Sequence, residues 1–216
     1  MVDLTITMQI SKGIEFIRNP YLKSTEKTCW ADLGCGEGFF TGILSGLLNE
    51  GSTIYAVDQD ERALVRVRAA VDAAIGRVAG TGTAVETRTG RVVGTVAGAA
   101  RSIHLHTVAL DFVHDEWPFD GPLDGILMAN SLHYVGEKGP FISRLKNQLK
   151  PDGGLLLVEY DTDRSNPWVP YPVSWQALEK LCHRSGFGSV RKIHEGPSRF
   201  GRAGIYSAWI AGMKGR

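Results

Sequence analysis

Four short apolar runs, Thr28 to Leu33, Thr53 to Val57, Leu105 to Leu110 and Leu123 to Ala129, are continuous rather than alternating. A fifth, Gly154 to Glu159, follows a Pro-Asp-Gly-Gly turn. Runs of this kind read as strands buried on both faces. Between them lie stripes of helical period: Phe40, Ile43, Leu44, Leu47 and Leu48; Leu64, Val67, Val71 and Ala74; Phe141, Ile142, Leu145 and Leu149. Parallel neighbours need a crossover, usually a helix, so the alternation predicts an α/β fold with a doubly wound, largely parallel sheet. After the fifth strand the order changes. Ser174 is placed to cap a helix bearing Trp175, Leu178, Leu181 and Cys182, which Gly186 can end. Two further strands, Ser189 to His194 and Ile205 to Ala211, are joined through Gly196, Pro197, Gly201 and Gly204, which makes that pair antiparallel.

At 216 residues the pattern fits one domain, 1–216, with its own core. Residues 1–27 precede the first strand, and Ile10, Ile14 and Ile17 predict a short amphipathic helix in this cap. Segment 72–102 departs from the rest, being dominated by Ala, Gly, Val and Thr without aromatics or Leu, and is read as a tolerated insertion between a helix and the third strand. Within it Ala84 to Thr89 and Arg91 to Val96 flank Gly90 as a possible hairpin. Such connections emerge opposite the strand ends where ligands bind, so no lid over a site is expected there. Lys plus Arg number 24 against 23 Asp plus Glu, a net charge of +1 with no basic run, which supplies no built-in attraction to nucleic acid or anionic lipid. No apolar run approaches the roughly 18 residues of a membrane span. The N-terminus lacks the features of an export signal, and Cys29, Cys35 and Cys182 suggest neither a disulfide framework nor a metal cluster. A cytoplasmic protein without a metal, monomeric or homodimeric, is the expectation.

The first strand runs into Asp32-Leu33-Gly34-Cys35-Gly36-Glu37-Gly38 and then a helix, so backbone can approach a ligand closely at this turn. The dinucleotide pattern G-x-G-x-x-G would require a glycine where Phe39 stands, and no Lys follows the glycines as a phosphate loop demands. Both nicotinamide and nucleoside triphosphate chemistry are thereby disfavoured. Asp58 closes the second strand about 20 residues beyond the turn, where a carboxylate can accept from both hydroxyls of a ribose, and Gln59 borders the base. Asp111 and Phe112 end the third strand, offering an acceptor for an exocyclic amine and an edge for a purine, or simply a loop acid and a core ring.

Trp30-Ala-Asp-Leu-Gly-Cys-Gly-Glu-Gly-Phe-Phe-Thr, Tyr55-Ala-Val-Asp58, Leu123-Asp-Gly-Ile-Leu-Met-Ala-Asn-Ser-Leu-His-Tyr and Pro151-Asp-Gly-Gly-Leu-Leu-Leu-Val-Glu-Tyr together resemble the class I S-adenosylmethionine-dependent methyltransferases. The segment Asp161-Thr-Asp-Arg-Ser-Asn-Pro-Trp-Val-Pro-Tyr-Pro is similar to a small bacterial branch of them. The resemblance implies a Rossmann-like sheet of seven strands in the order 3-2-1-4-5-7-6, the seventh antiparallel. It also implies S-adenosylmethionine across the carboxyl ends of strands one to four. Carried over by position, Asp32, Gly34, Gly36 and Gly38 match the methionine and ribose motif and Asp58 the ribose acid, while Asp111 and Phe112 match the adenine site. Cys35 enters as a small filler of the motif, and Asn130 matches a position whose backbone faces the methionine end.

Methyl transfer from a sulfonium mainly asks the protein to align donor and acceptor, and a base is needed only where the acceptor must lose a proton. His133, just past the fourth strand, is the leading base, weighed against a satisfied structural imidazole. Past the fifth strand Glu159, Tyr160, Asp161, Trp168 and Tyr171 are pocket candidates; Trp168 and Tyr171 wall an acceptor or else seal the core. Arg199 is a candidate for an anionic acceptor or an ordinary surface arginine. The short cap and neutral charge favour a small-molecule acceptor. An RNA methyltransferase, needing a basic face from Arg62, Arg66 and Arg68, and a non-catalytic binder of the donor are the alternatives.

Overall fold

Seven strands form one sheet in the order β3-β2-β1-β4-β5-β7-β6. These are β1 (Cys29–Leu33), β2 (Thr53–Asp58), β3 (His104–Ala109), β4 (Leu123–Ala129), β5 (Leu149–Asp161), β6 (Phe187–Pro197) and β7 (Gly204–Met213). The structure, a computed structural model, describes residues 4–22, 25–79, 102–198 and 203–213. The chain divides into two compact units, Met1–Phe119 and Asp120–Arg216.

In the first unit β1 pairs with β2 and β2 with β3, both parallel, with Leu33 opposite Val57 and Asp58 opposite Ala109. Its helices among the described residues are α1 (Leu4–Ile17), α2 (Phe39–Leu47) and α3 (Glu61–Ala79). Ile54, Ala56, Val57 and Leu33 on the strands and Leu44 and Val67 on the helices are fully buried, as the continuous apolar runs require. The N-terminal helix is longer than its three isoleucines mark. It meets α2 at Gly13, where an added Cβ would stand 2.3 Å from Ile43 and 2.9 Å from the Phe39 ring. Phe39, which takes the place of the third glycine of a dinucleotide turn, thus supports α1. Helix α3 runs on to Ala79, so residues 72–79 of the expected insertion are helix, in keeping with the helix propensity of their alanines. Residues 80–101, with the expected hairpin, lie outside the described residues, as does Arg199.

In the second unit β4 and β5 are parallel, while β7 runs antiparallel to both β5 and β6, as the glycine-rich connection predicts. A 3-10 turn (Leu132–Tyr134), α4 (Lys138–Gln148) and α5 (Trp175–Arg184) complete it. Pro140 sits in the first turn of α4, where its missing N–H costs no helical bond. Ser174 caps α5 by accepting from the Ala177 N–H, and Gly186, at φ 83°, follows its end. One expectation is corrected. The fifth strand begins at Leu149 rather than after the Pro-Asp-Gly-Gly turn, because Leu149 pairs with Leu123 and Gly154 with Gly125. Pro151 and Asp152 bulge into solvent between those pairs. The bulge closes tightly because Gly153 and Gly154 carry no side chains: a Cβ would lie 2.8 Å from the Leu123 carbonyl in one case and 2.3 Å from the Trp209 indole in the other.

The contact between Gly154 and Trp209 makes a direct prediction. Gly154→Ala will lower the unfolding free energy by about 1–3 kcal/mol through overpacking, whereas Gly121→Ala, with open space at its Cβ position, will change it by less than about 0.5 kcal/mol. Urea unfolding midpoints of the two variants measure this; equal losses would show that the indole is not the cause.

Candidate functional site

The glycine turn of the first unit is held by the end of β2. The N–H groups of Gly34 and Cys35 both donate to the Val57 carbonyl, at 2.8 and 3.0 Å, which continues the β1–β2 ladder past the strand. That register sets Asp58 beside the turn, where its Oδ2 accepts from the Gly36 N–H at 2.8 Å and its Oδ1 from the Asp60 N–H at 2.9 Å. A carboxylate offers about four lone-pair sites, so two remain for a ligand. Gly36 adopts φ 53°, and nothing lies within 4 Å of the position its Cβ would occupy. Gly38, at φ 86°, does something else: a Cβ there would stand 2.8 Å from the Val67 Cα, so this glycine lets α2 and α3 approach.

Asp32 ends up wholly enclosed at 1% exposure. Thr41, one turn into α2, donates its hydroxyl to Oδ2 at 2.6 Å, while Oδ1 has no hydrogen-bond partner among the described residues. Burial pushes this carboxyl up to about 7, the Thr41 bond opposing and the charge of Asp58 adding. Burial also pushes the Cys35 thiol up, helped by Asp32 and Asp58, so it stays protonated and unreactive. Gln59 is exposed beside Asp58. Asp111 has its carboxylate occupied locally: Oδ1 accepts from the N–H groups of Val113 and His114 and Oδ2 faces His114 Nδ1 at 2.8 Å. The His114 bond, foremost, holds that carboxyl below the usual range. Phe112 is half-buried, its carbonyl accepting from the Trp117 indole at 3.0 Å.

The second unit carries a separate constellation at the ends of β4 and β5. Asn130 follows β4 at φ 55°, a left-handed conformation that asparagine tolerates better than most residues, and its buried amide oxygen has no partner among the described residues. Three residues on, His133 is 2% exposed and Glu159 wholly buried. Glu159 Oε2 lies 2.8 Å from His133 Nδ1 and its Oε1 accepts from the His133 N–H at 3.2 Å. The rings of Tyr134 and Tyr160 flank the imidazole, with centroids 4.4 and 5.8 Å away. Burial, with the charge of Glu159 next, raises the Tyr160 hydroxyl.

The segment after β5 is fastened to this histidine. The Tyr171 N–H donates to the His133 carbonyl at 3.0 Å, and Lys138 Nζ donates to the carbonyls of Val135 and Tyr171. Burial lowers the Lys138 ammonium, Glu159 opposing. Trp168 is 82% exposed, which rules out core sealing for that ring, and Tyr171 is half exposed. Asp161 serves α5 instead of a pocket: its Oδ1 accepts from the Trp175 N–H at 2.9 Å.

Against known proteins, the family model described as a methyltransferase domain matches residues 9–195. The chain belongs to this methyltransferase family. Its sheet order is that of the class I methyltransferases, and as a member of this family it takes S-adenosylmethionine as its methyl donor. No curated protein sequence matches. Solved structures share the fold at low identity. An arsenic(III) S-adenosylmethionine methyltransferase from Chlamydomonas reinhardtii is 14% identical, with 97% of this chain and 73% of that one covered and a TM-score of 0.61. The N-methyltransferase NodS from Bradyrhizobium japonicum is 14% identical, with 98% and 99% covered and a TM-score of 0.59. Magnesium protoporphyrin IX methyltransferase from Synechocystis, crystallised with S-adenosylmethionine, is 15% identical, with 96% and 78% covered and a TM-score of 0.55.

Sequence reasoning about this methyltransferase did not find Thr41 or Lys138, since neither carries a local signal. Glu159 did leave one. An acid inside the otherwise apolar run Leu155 to Val158 and onward must meet a partner if it is buried, and only the fold could say that the partner is His133.

Asp32 predicts a pH dependence. A carboxyl raised to about 7 in the folded chain keeps a proton that the unfolded chain loses near pH 4, so its contribution is fully present below pH 4 and is lost as pH rises to about 7. Stability will fall over that interval by up to roughly 4 kcal/mol at about 1.36 kcal/mol per unit. Asp32→Asn will flatten the fall; urea unfolding of both proteins at pH 4.5, 6 and 7.5 tests it, and parallel profiles would remove Asp32 as the source.

Proposed function

We infer that this methyltransferase moves a methyl group from S-adenosylmethionine to a hydroxyl oxygen of a small molecule, with His133 as general base. The observation that carries the reading is the buried Glu159–His133 pair. A carboxylate bonded to Nδ1 sets the ring to act through Nε2 and stabilises the imidazolium that forms when Nε2 takes a proton. An amine or thiolate acceptor needs no such device.

The first unit has the chemistry to hold the donor. Asp32 places a buried, unpartnered carboxylate oxygen next to the glycine turn, and a cationic ligand supplies the charge and donors it lacks. Thr41 holds the other oxygen in place. Gly34 and Gly36 with Cys35 keep the turn free of bulk, Gly38 lets α2 and α3 approach, and the open position above Gly36 lets backbone meet the ligand. Asp58 accepts from the ribose hydroxyls, and Gln59 with Asp111 and Phe112 borders the base. In the second unit Asn130 carries a buried amide oxygen with no partner among the described residues, and Tyr160, Trp168 and Tyr171 receive the acceptor.

S-adenosylmethionine supplies a sulfonium methyl that a nucleophilic oxygen displaces in line, its sulfur keeping the bonding electron pair as a neutral thioether. His133 Nε2 takes the hydroxyl proton as the oxygen–carbon bond forms, Glu159 holds the imidazolium, and the proton then passes to water. An RNA acceptor is less well supported, since Arg66 pairs with Glu37 and Arg68 with Asp72, leaving little of the basic face it would require. No described helix is long and apolar enough to cross a membrane.

Two measurements test the reading. Calorimetric titration will show S-adenosylmethionine binding that Asp58→Ala weakens at least fivefold, about 1 kcal/mol, without unfolding the chain; an unchanged Kd would take Asp58 out of the site. His133→Ala will slow transfer to a hydroxyl acceptor about a hundredfold or more while leaving donor affinity intact. Turnover at the parent rate would return His133 to a structural role.

A further inference from the structure

The second unit exposes three large hydrophobic side chains, Tyr134 at 55%, Trp168 at 82% and Tyr171 at 52%, among its described residues. All three stand on the two segments that the Tyr171-to-His133 bond joins. That bond ties the segment bearing Trp168 and Tyr171 to the backbone of the base. The segment is also pre-set. Trp168 sits at the tip of a tight turn, its N–H donating to Asn166 Oδ1 at 2.9 Å while Asn166 and Val169 exchange backbone bonds at 3.1 Å, and prolines at 167 and 170 restrict the flanks. The Tyr171 ring lies against Gly136, and Lys138 Nζ is 5.7 Å from the centre of its face. An indole held out in water at this exposure loses apolar burial that a flat partner restores.

Two further constraints narrow the acceptor. Only 3% of the His133 side chain is exposed, and the rings of Tyr134 and Tyr160 stand beside it, so a group reaching Nε2 must be thin. The edge of a planar ring satisfies that; a tetrahedral carbinol with bulky substituents does not. Acidity points the same way. A phenolic hydroxyl titrates near 10, within reach of an imidazole, whereas an alkyl hydroxyl is far less acidic and lies beyond it.

The geometry points to a planar aromatic acceptor bearing a phenolic hydroxyl, its ring stacked on Trp168 and its oxygen at His133 Nε2. This rests on the oxygen-methylation reading. The phenolic O–H bond breaks with its proton going to Nε2, the oxygen–methyl bond forms, and the methyl–sulfur bond breaks with its electron pair on the leaving thioether.

The test pairs mono- and bicyclic phenols, including 2-naphthol, with their saturated counterparts, including decahydro-2-naphthol, using donor labelled in its methyl group. Phenols will be methylated with kcat/KM at least tenfold above the saturated alcohols. Trp168→Ala will raise the KM for phenols at least tenfold with kcat within about twofold and donor affinity unchanged, and Trp168→Phe will recover most of the loss. In the absence of donor, 2-naphthol will quench tryptophan fluorescence in the parent and not in Trp168→Phe. Equal or faster transfer to saturated alcohols, no transfer to any phenol, or an unmoved KM in Trp168→Ala each overturns the proposal. Phenol methylation that survives His133→Ala would instead remove the base and leave the ring clamp standing. His133-dependent transfer confined to saturated alcohols would do the reverse.

Discussion

The parallel register between β1 and β2 is the constraint on which the glycine turn depends. With Leu33 opposite Val57, the Val57 carbonyl is left facing two successive N–H groups past the strand end, and Gly34 and Cys35 take it. The chain then has to reverse sharply enough to enter α2 at Phe39, four residues after Cys35, which requires positive φ at Gly34, Gly36 and Gly38. Asp58, the next residue on β2, is delivered to the Gly36 N–H by the same register. A slip of one residue would turn Asp58 away and bring Val57 to the turn, because successive strand residues point to opposite faces.

The second unit is governed by a different necessity. Glu159 is wholly buried within the sheet, and a buried carboxylate without donors is costly. His133 meets both oxygens, one through its ring and one through its backbone N–H. To do so the chain after β4 must turn abruptly, and the left-handed Asn130 followed by a single 3-10 turn accomplishes this. The Tyr171 and Lys138 bonds then fasten the Trp168 turn onto the same histidine. One buried charge thereby ties His133 and the exposed aromatic turn together.

Much of the glycine turn was legible because its signals are local. Glycines at alternate positions after an apolar run, and an acid at the end of the next run, mark a turn and its partner without reference to anything distant. The helix cap at Ser174 and the terminator at Gly186 were legible for the same reason, as was the antiparallel closing pair. The start of β5 was not. Pro151 to Gly154 reads as a turn, and it became a bulge within a strand because Leu149 found Leu123 and two glycines let the backbone lie against β4 and Trp209. The engagement of Asp111 by its own loop, through His114 and Val113, is likewise a set of contacts that spacing does not reveal.

By itself, the sequence of this methyltransferase determined the alternation of buried strands and covering helices, the place of the glycine turn and the acid that serves it, since period, capping and conformational preference act over a few residues. Tertiary structure alone decided which buried acid meets which histidine, that Thr41 meets one oxygen of Asp32 while the other has no partner among the described residues, and that Trp168 faces water instead of the core. Those outcomes follow from burial and from hydrogen bonds between residues far apart in the chain, and desolvation has no value until the fold defines what is enclosed.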